Sequence, residues 1–322
     1  MRSCNHGPLK PYVLRRPDGG VAAGTLTFAY QAPKTGDWIE VINECGKFTN
    51  PASYTSTVKV TYPSAVSAKD FGIYGQLFLA NLGYQANNMV TSISACADDL
   101  NGPSFIDVDN IGQSPLSMNK YLGPFYSGGL AGYPHTGITG LAAFASHVTN
   151  TGALFVINMP HIGISQSGVV GQSLRRGQTT LNTSCGAVSA AISWALANSG
   201  TPTFPSTAFP VNDYQQYFLT NIIAQSASRT ALGIVGTPGG SPTPAQMVIA
   251  TELIRANGET FLLGASGISA ISGNTKDVIF CSGTFINVDD GYDAYVNINT
   301  FKKWTAAGGW VDLTTSFNSG LH

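Results

Sequence analysis

The chain has 322 residues, a net charge of −1 and 10% charged residues, against roughly 25% in ordinary globular domains. Near-neutral charge argues against nucleic acid or an anionic membrane surface as partner, and no run approaches the roughly 18 apolar residues that span a bilayer. Five cysteines are too few, and odd in number, for a disulfide-stapled scaffold. The weak charge repulsion predicts an oligomer, unless it reflects compositional drift alone. Residues 1–8 lack the apolar stretch of a secretory signal.

Residues 1–66 are rich in Pro, Gly and Thr, with β-like runs at 24–30, 37–43 and 55–62. They are expected to form an N-terminal extension packing on the main domain, 67–322. Ser67 and Asp70 form a capping signal for a helix with apolar positions Phe71, Tyr74, Leu77, Phe78 and Leu82, which Gly83 ends. A strand follows up to Cys96. Residues 101–127 carry Gly and Pro throughout and read as a long functional connection. Residues 137–148 predict a helix and 153–159 a buried strand. The segment 163–184 is Gly- and Ser-rich. A helix begins at Gly186 and ends near Gly200, and 213–228 predicts one amphipathic helix. Thr243 caps a helix with Pro244 in its first position and Gly258 just past its end. Residues 261–263 and 277–288 read as strands, and the last 30 residues give no assignable pattern. Alternating strands and helices predict an α/β fold, a mainly parallel central sheet flanked by helices.

Cys96, His161 and Cys185 each stand where a strand ends or a helix begins. In an open α/β sheet these edges share one crevice. Two thiolates and an imidazole suit zinc with a fourth position left for water. At the start of a helix the Cys185 thiolate is favoured by free N–H groups and the dipole. The bland alternative is two small buried hydrophobes and a satisfied core histidine. His135 either lines a pocket or bonds to backbone; His147 either meets the carbonyls ending its helix or carries protons. Gly128, Gly129, Gly132 and Gly137 either cradle an anion or permit tight turns. Cys281 reads as core, as do Trp194 and Tyr214. Cys4 and Cys45 carry no signal.

The string GGLAGYPHTGITG from Gly128 to Gly140 is followed by AFASH ending at His147, PHIGIS from Pro160, the glycines of 168–177, and Ser184-Cys185-Gly186. Together these strongly resemble the limiting-carbon-dioxide-inducible B family, the theta-class carbonic anhydrases. Cys96-Ala-Asp-Asp99 resembles the family's first ligand motif. The resemblance implies a beta-carbonic-anhydrase-like fold, a homodimer, and zinc held by Cys96, His161 and Cys185. It also implies reversible hydration of carbon dioxide to bicarbonate, with Asp98 orienting the nucleophilic water. A role in concentrating inorganic carbon, in the chloroplast stroma, follows from the same resemblance. One departure stands out. Beta-class enzymes hold that aspartate with an arginine, commonly two residues later. Here the position is Leu100, and no arginine occurs between Arg16 and Arg175. Arg175 and Arg176 are the candidates to partner Asp98 or bicarbonate. If neither reaches the site, the alternative is a weak or inactive member acting as an assembly protein.

Overall fold

The computed structural model describes residues 50–84, 88–97, 125–148, 152–175, 178–199, 213–234, 239–273, 275–289 and 292–321. The β-like runs expected at 24–30 and 37–43, most of the connection 101–127, and Cys4 and Cys45 lie outside them. The described chain opens on helix α1 (Ala52–Thr61), where the sequence reading had a strand. Its Thr and Val residues favour strands weakly, but Tyr54 and Val58, one turn apart, are both fully buried against the core. That tertiary burial overrides propensity.

Strand β1 (Val66–Ser67) leads into α2 (Ala68–Asn81). The Ser67 hydroxyl accepts from the Asp70 N–H at 3.0 Å, and Gly83 at φ +90° turns the chain out of the helix, as the capping pattern predicts. Strand β2 (Met89–Ala95) is buried at every position. After β3 (Phe125–Tyr126) come a short 3-10 turn at Leu130–Gly132 and helix α3 (Gly137–Ala145). Strand β4 (Ala153–Met159) is again wholly buried. Burial at every position belongs to parallel strands covered on both faces. Beyond Pro160 the chain re-enters the sheet as β5 (His161–Gly163), then forms a small hairpin, β6 (Gln172–Ser173) with β7 (Asn182–Thr183).

Helix α4 (Gly186–Ala197) is followed by α5 (Tyr214–Ala224) and α6 (Ser226–Ala231). The single helix expected over 213–228 is divided at Gln225, whose φ of −58° and ψ of 145° lie outside the helical region. Helix α7 (Pro244–Leu263) carries the expected capping box between Thr243 and Gln246. It does not stop at Gly258. A Cβ there would lie 3.0 Å from Asn158 Oδ1 and 3.2 Å from Pro134 Cδ, so this glycine permits close approach to the sheet and is no cap. Residues 261–263, expected as a strand, are the helix's last turn. Helix α8 (Ala265–Ser272), strands β8 (Asp277–Asn287), β9 (Tyr295–Thr305) and β10 (Gly309–Asp312), and helix α9 (Thr314–Leu321) complete the chain.

Among the described residues the main sheet runs β1-β9-β8-β4-β2-β3, with β10 on β9 and β5 on β8. Strands β3, β2, β4 and β8 are parallel; β9 is antiparallel to β8. Alternate residues of β4 feed opposite faces. Phe155 and Ile157 join Phe71, Phe78 and Phe317 beneath α2 and α9. Leu154 and Val156 join Leu141, Phe144, Ile268 and Ile271 beneath α3 and α8. A further cluster with Val188, Ile192, Leu219 and Ile254 packs α4, α5 and α7 together. It also contains Cys96 and Cys185. None of the described helices is long and apolar enough to cross a membrane.

Candidate metal centre

Parallel register sets the first two corners of the site. Ala95 of β2 pairs with Met159 of β4, so Cys96 and Pro160 leave the sheet at the same level. His161 follows at once and pairs with Phe285 of β8. The third corner, Cys185, is the N-cap residue of α4. It is brought in by a stitched loop. Gly171 N–H donates to the Gly163 carbonyl at 2.7 Å, and Ser184 N–H and Oγ both donate to the Gly171 carbonyl at 3.0 Å. A Cβ on Gly163 would stand 2.5 Å from Ser184 Oγ, so the strand bearing His161 and the turn before Cys185 touch backbone to side chain.

The sulfurs of Cys96 and Cys185 and a ring nitrogen of His161 all lie within 4.8 Å of one another. The residues are 7%, 1% and 0% exposed. Tetrahedral bonds of about 2.0–2.3 Å place such donors about 3.3–3.8 Å apart, so side-chain shifts of about an ångström close this cluster on one ion. The donor set, two soft sulfurs and one imidazole, fits zinc with a fourth position open.

The glycine-rich loop packs over these donors. Gly128 lies so close to the Ala95 backbone that a Cβ would collide with it. Gly132, at φ +78°, would place a Cβ 2.8 Å from Pro160 Cα. Between them Ala131 holds φ 57°, which among the described residues no other non-glycine shares. Its N–H donates to Cys96 Sγ at 3.1 Å. A backbone donor on sulfur favours the thiolate that a metal requires, and strain of this kind gathers at functional sites. Gln215 of α5 secures the loop by accepting from Leu130 N–H at 2.9 Å.

Arg175 is half-buried. Its Nη2 donates to the Thr183 carbonyl at 3.1 Å and the Ser184 carbonyl at 3.5 Å, so it braces the backbone entering Cys185. Asp98 and Arg176 lie outside the described residues. His135 sits among the rings of Tyr133, Phe218 and Tyr214, with centroids at 5.1, 5.9 and 6.1 Å. Burial lowers its pKa to about 4, against the opposing pull of a hydrogen bond with the Leu130 backbone and of the nearby Cys96. Tyr214, expected in the core, is half-exposed on this wall. His147 is exposed, and the carbonyl of Ala145 that ends α3 is taken instead by Lys276 Nζ at 2.5 Å. Cys281 is fully buried in the core, and burial pushes its thiol pKa up.

Three residues that carry no local motif support the site. Asn287 Oδ1 lies 2.5 Å from His161 Nδ1. Asp289 accepts from the N–H groups of Gln166 and Leu174, at 2.8 and 2.7 Å, and so ties the loop after β5 to the residue that follows β6. The Tyr54 hydroxyl accepts from Asp289 N–H at 2.8 Å and donates to the Ile164 carbonyl at 2.7 Å. For Asn287 and Asp289 the signal available in sequence was position, the carboxyl end of a parallel strand, where sites of open α/β sheets gather; Tyr54, in α1, had none.

The family model for limiting CO2-inducible proteins B/C beta carbonic anhydrases matches residues 65–304. Among solved structures, PtLCIB4, a homolog of the limiting CO2-inducible protein LCIB, is 21% identical with a TM-score of 0.63, over 80% of this chain and 98% of that one. LCIB itself is 17% identical with a TM-score of 0.56, over 82% of this chain and 98% of that one. At these identities the likeness is one of fold. No curated protein matches the chain. With a family model that spans most of the main sheet and all three clustered donors, the chain belongs to the limiting CO2-inducible protein B/C family of beta carbonic anhydrases.

Proposed function

We propose that this chain is a zinc carbonic anhydrase, interconverting carbon dioxide and bicarbonate. The observation that carries the reading is the buried Cys96–His161–Cys185 cluster, in a chain of a family described as beta carbonic anhydrases. Zinc, when bound, supplies hydroxide near neutral pH, the nucleophile that hydration needs. The chain's own residues do the rest. Ala131 N–H and the start of α4 keep the two sulfurs as thiolates. The aromatic wall of Tyr133, Tyr214 and Phe218 offers an apolar approach suited to a small uncharged gas. Asp98, two residues after Cys96, is assigned to orienting the nucleophile, and Arg175 and Arg176 to bicarbonate or Asp98. A homodimer in the chloroplast stroma, serving inorganic carbon concentration, belongs to the same proposal.

Zinc content and carbon dioxide hydration measured on one preparation test it. The expected result is about one zinc per chain with hydration well above the buffer rate, and Cys185→Ser losing both. A fully loaded protein with no hydration overturns the enzyme and leaves an assembly role as the reading.

A further inference from the structure

We propose that Asn287 is the positioning residue of the metal centre, holding the His161 ring in the tautomer that turns the Nε2 lone pair toward the ion. The inference rests on reading Cys96, His161 and Cys185 as zinc ligands.

Register brings the two side chains together. His161 pairs with Phe285 across parallel strands β5 and β8, and Asn287 is two residues further along β8. Residues two apart on a strand share a face, so the carboxamide and the imidazole stand on the same side of the sheet. His161 Nδ1 and Asn287 Oδ1 are 2.5 Å apart, and the residues are 0% and 4% exposed. A carboxamide oxygen only accepts. Nδ1 therefore carries the hydrogen, and the lone pair that can bind a metal belongs to Nε2. The opposite carboxamide orientation would put the hydrogen on Nε2, which would have to give it up before binding an ion.

Asn287 is itself held at both ends. Ile164 N–H donates to its backbone carbonyl at 2.9 Å. Two residues on, Asp289 is fixed by Gln166, Leu174 and Tyr54. The end of β8 thus forms an outer layer that reaches His161 directly and the neighbouring loop through Asp289. Outer partners of a ligating histidine set its orientation and basicity, and their loss typically weakens metal binding about 10–100-fold.

The test uses the full chain with histidine labelled in nitrogen-15. Long-range proton–nitrogen NMR reads the His161 tautomer in metal-free protein, and competition with a chromogenic chelator reads zinc affinity. In the wild type the hydrogen is expected on Nδ1. Asn287→Leu should lose that preference and bind zinc about 10–100-fold more weakly. Asn287→Asp, which still accepts at the same place, should keep both properties, an outcome that a purely structural role would not give. Wild-type His161 carrying its hydrogen on Nε2, a measurement that needs no variant to fold, overturns the inference. So does an Asn287→Leu protein with wild-type zinc affinity, and either result leaves the zinc reading standing. Zinc uptake absent from the wild type overturns the metal reading and this inference together.

Discussion

His135 shows how a residue beside the donors is tuned by its surroundings. It faces Tyr133, Tyr214 and Phe218, with Cys96 nearby. Burial is the largest influence and lowers its pKa to about 4. The ring is then neutral at physiological pH, and a group titrating so low is a poor proton carrier there. The consequence for stability has a definite sign. Above the unfolded value near 6.5 neither state binds the proton, and the site contributes fully. Between about 6.5 and about 4 the unfolded chain takes up a proton that the folded chain refuses, so stability falls as pH falls. Metal-free His135→Gln should therefore lose less stability than the wild type between pH 7 and pH 4.5 in urea unfolding. All other groups are common to both proteins, so matching pH dependence would show that His135 is not held neutral by the fold.

Helix α1 makes a comparable point among elements. It meets the core through Tyr54, whose hydroxyl joins the Ile164 carbonyl after β5 to the Asp289 N–H after β8. Burial pushes that hydroxyl's pKa up, so it remains a donor at any ordinary pH. Tyr54→Phe removes a donor and an acceptor together and leaves two backbone groups to find new partners. An unsatisfied buried group costs about 1–3 kcal/mol, so the variant should lose about that much in denaturant unfolding with an unchanged m-value; a loss below about 0.5 kcal/mol would mean water takes the hydroxyl's place. Nothing near Tyr54 in the sequence announces this role. The buried strands β2 and β4, the caps of α2 and α7, and the placing of Cys96, His161 and Cys185 at element ends were legible, because each rests on a local pattern. Helix α1 was not, since its β-branched residues point to a strand and only burial of Tyr54 and Val58 decides otherwise. Gly258 misleads in the same way: its lack of a side chain serves contact with Asn158 and Pro134, which the sequence alone does not display. Asn287 lies 126 residues from His161, and only strand register brings the two together.

For the molecule as a whole, the three donors tie together parts of the fold that are otherwise joined by backbone bonds and packing: the end of β2, the start of β5 and the first turn of α4. With 10% charged residues, the chain draws little on surface ion pairs, which contribute about 0–1 kcal/mol each in any case. Binding that favours the folded state stabilises it by mass action. Free zinc at a hundred times its dissociation constant adds about 2.7 kcal/mol. In a chain of this size each kcal/mol moves the melting temperature by about 1.5–3 °C, so zinc should raise it by about 4–8 °C. Cys185→Ser breaks the donor set without opening the sheet, and its melting temperature should stay nearly level across the same zinc series. An equal rise in both proteins would place the bound zinc elsewhere on the chain. A flat response in the wild type would mean that folding leaves the three donors too far apart to share an ion.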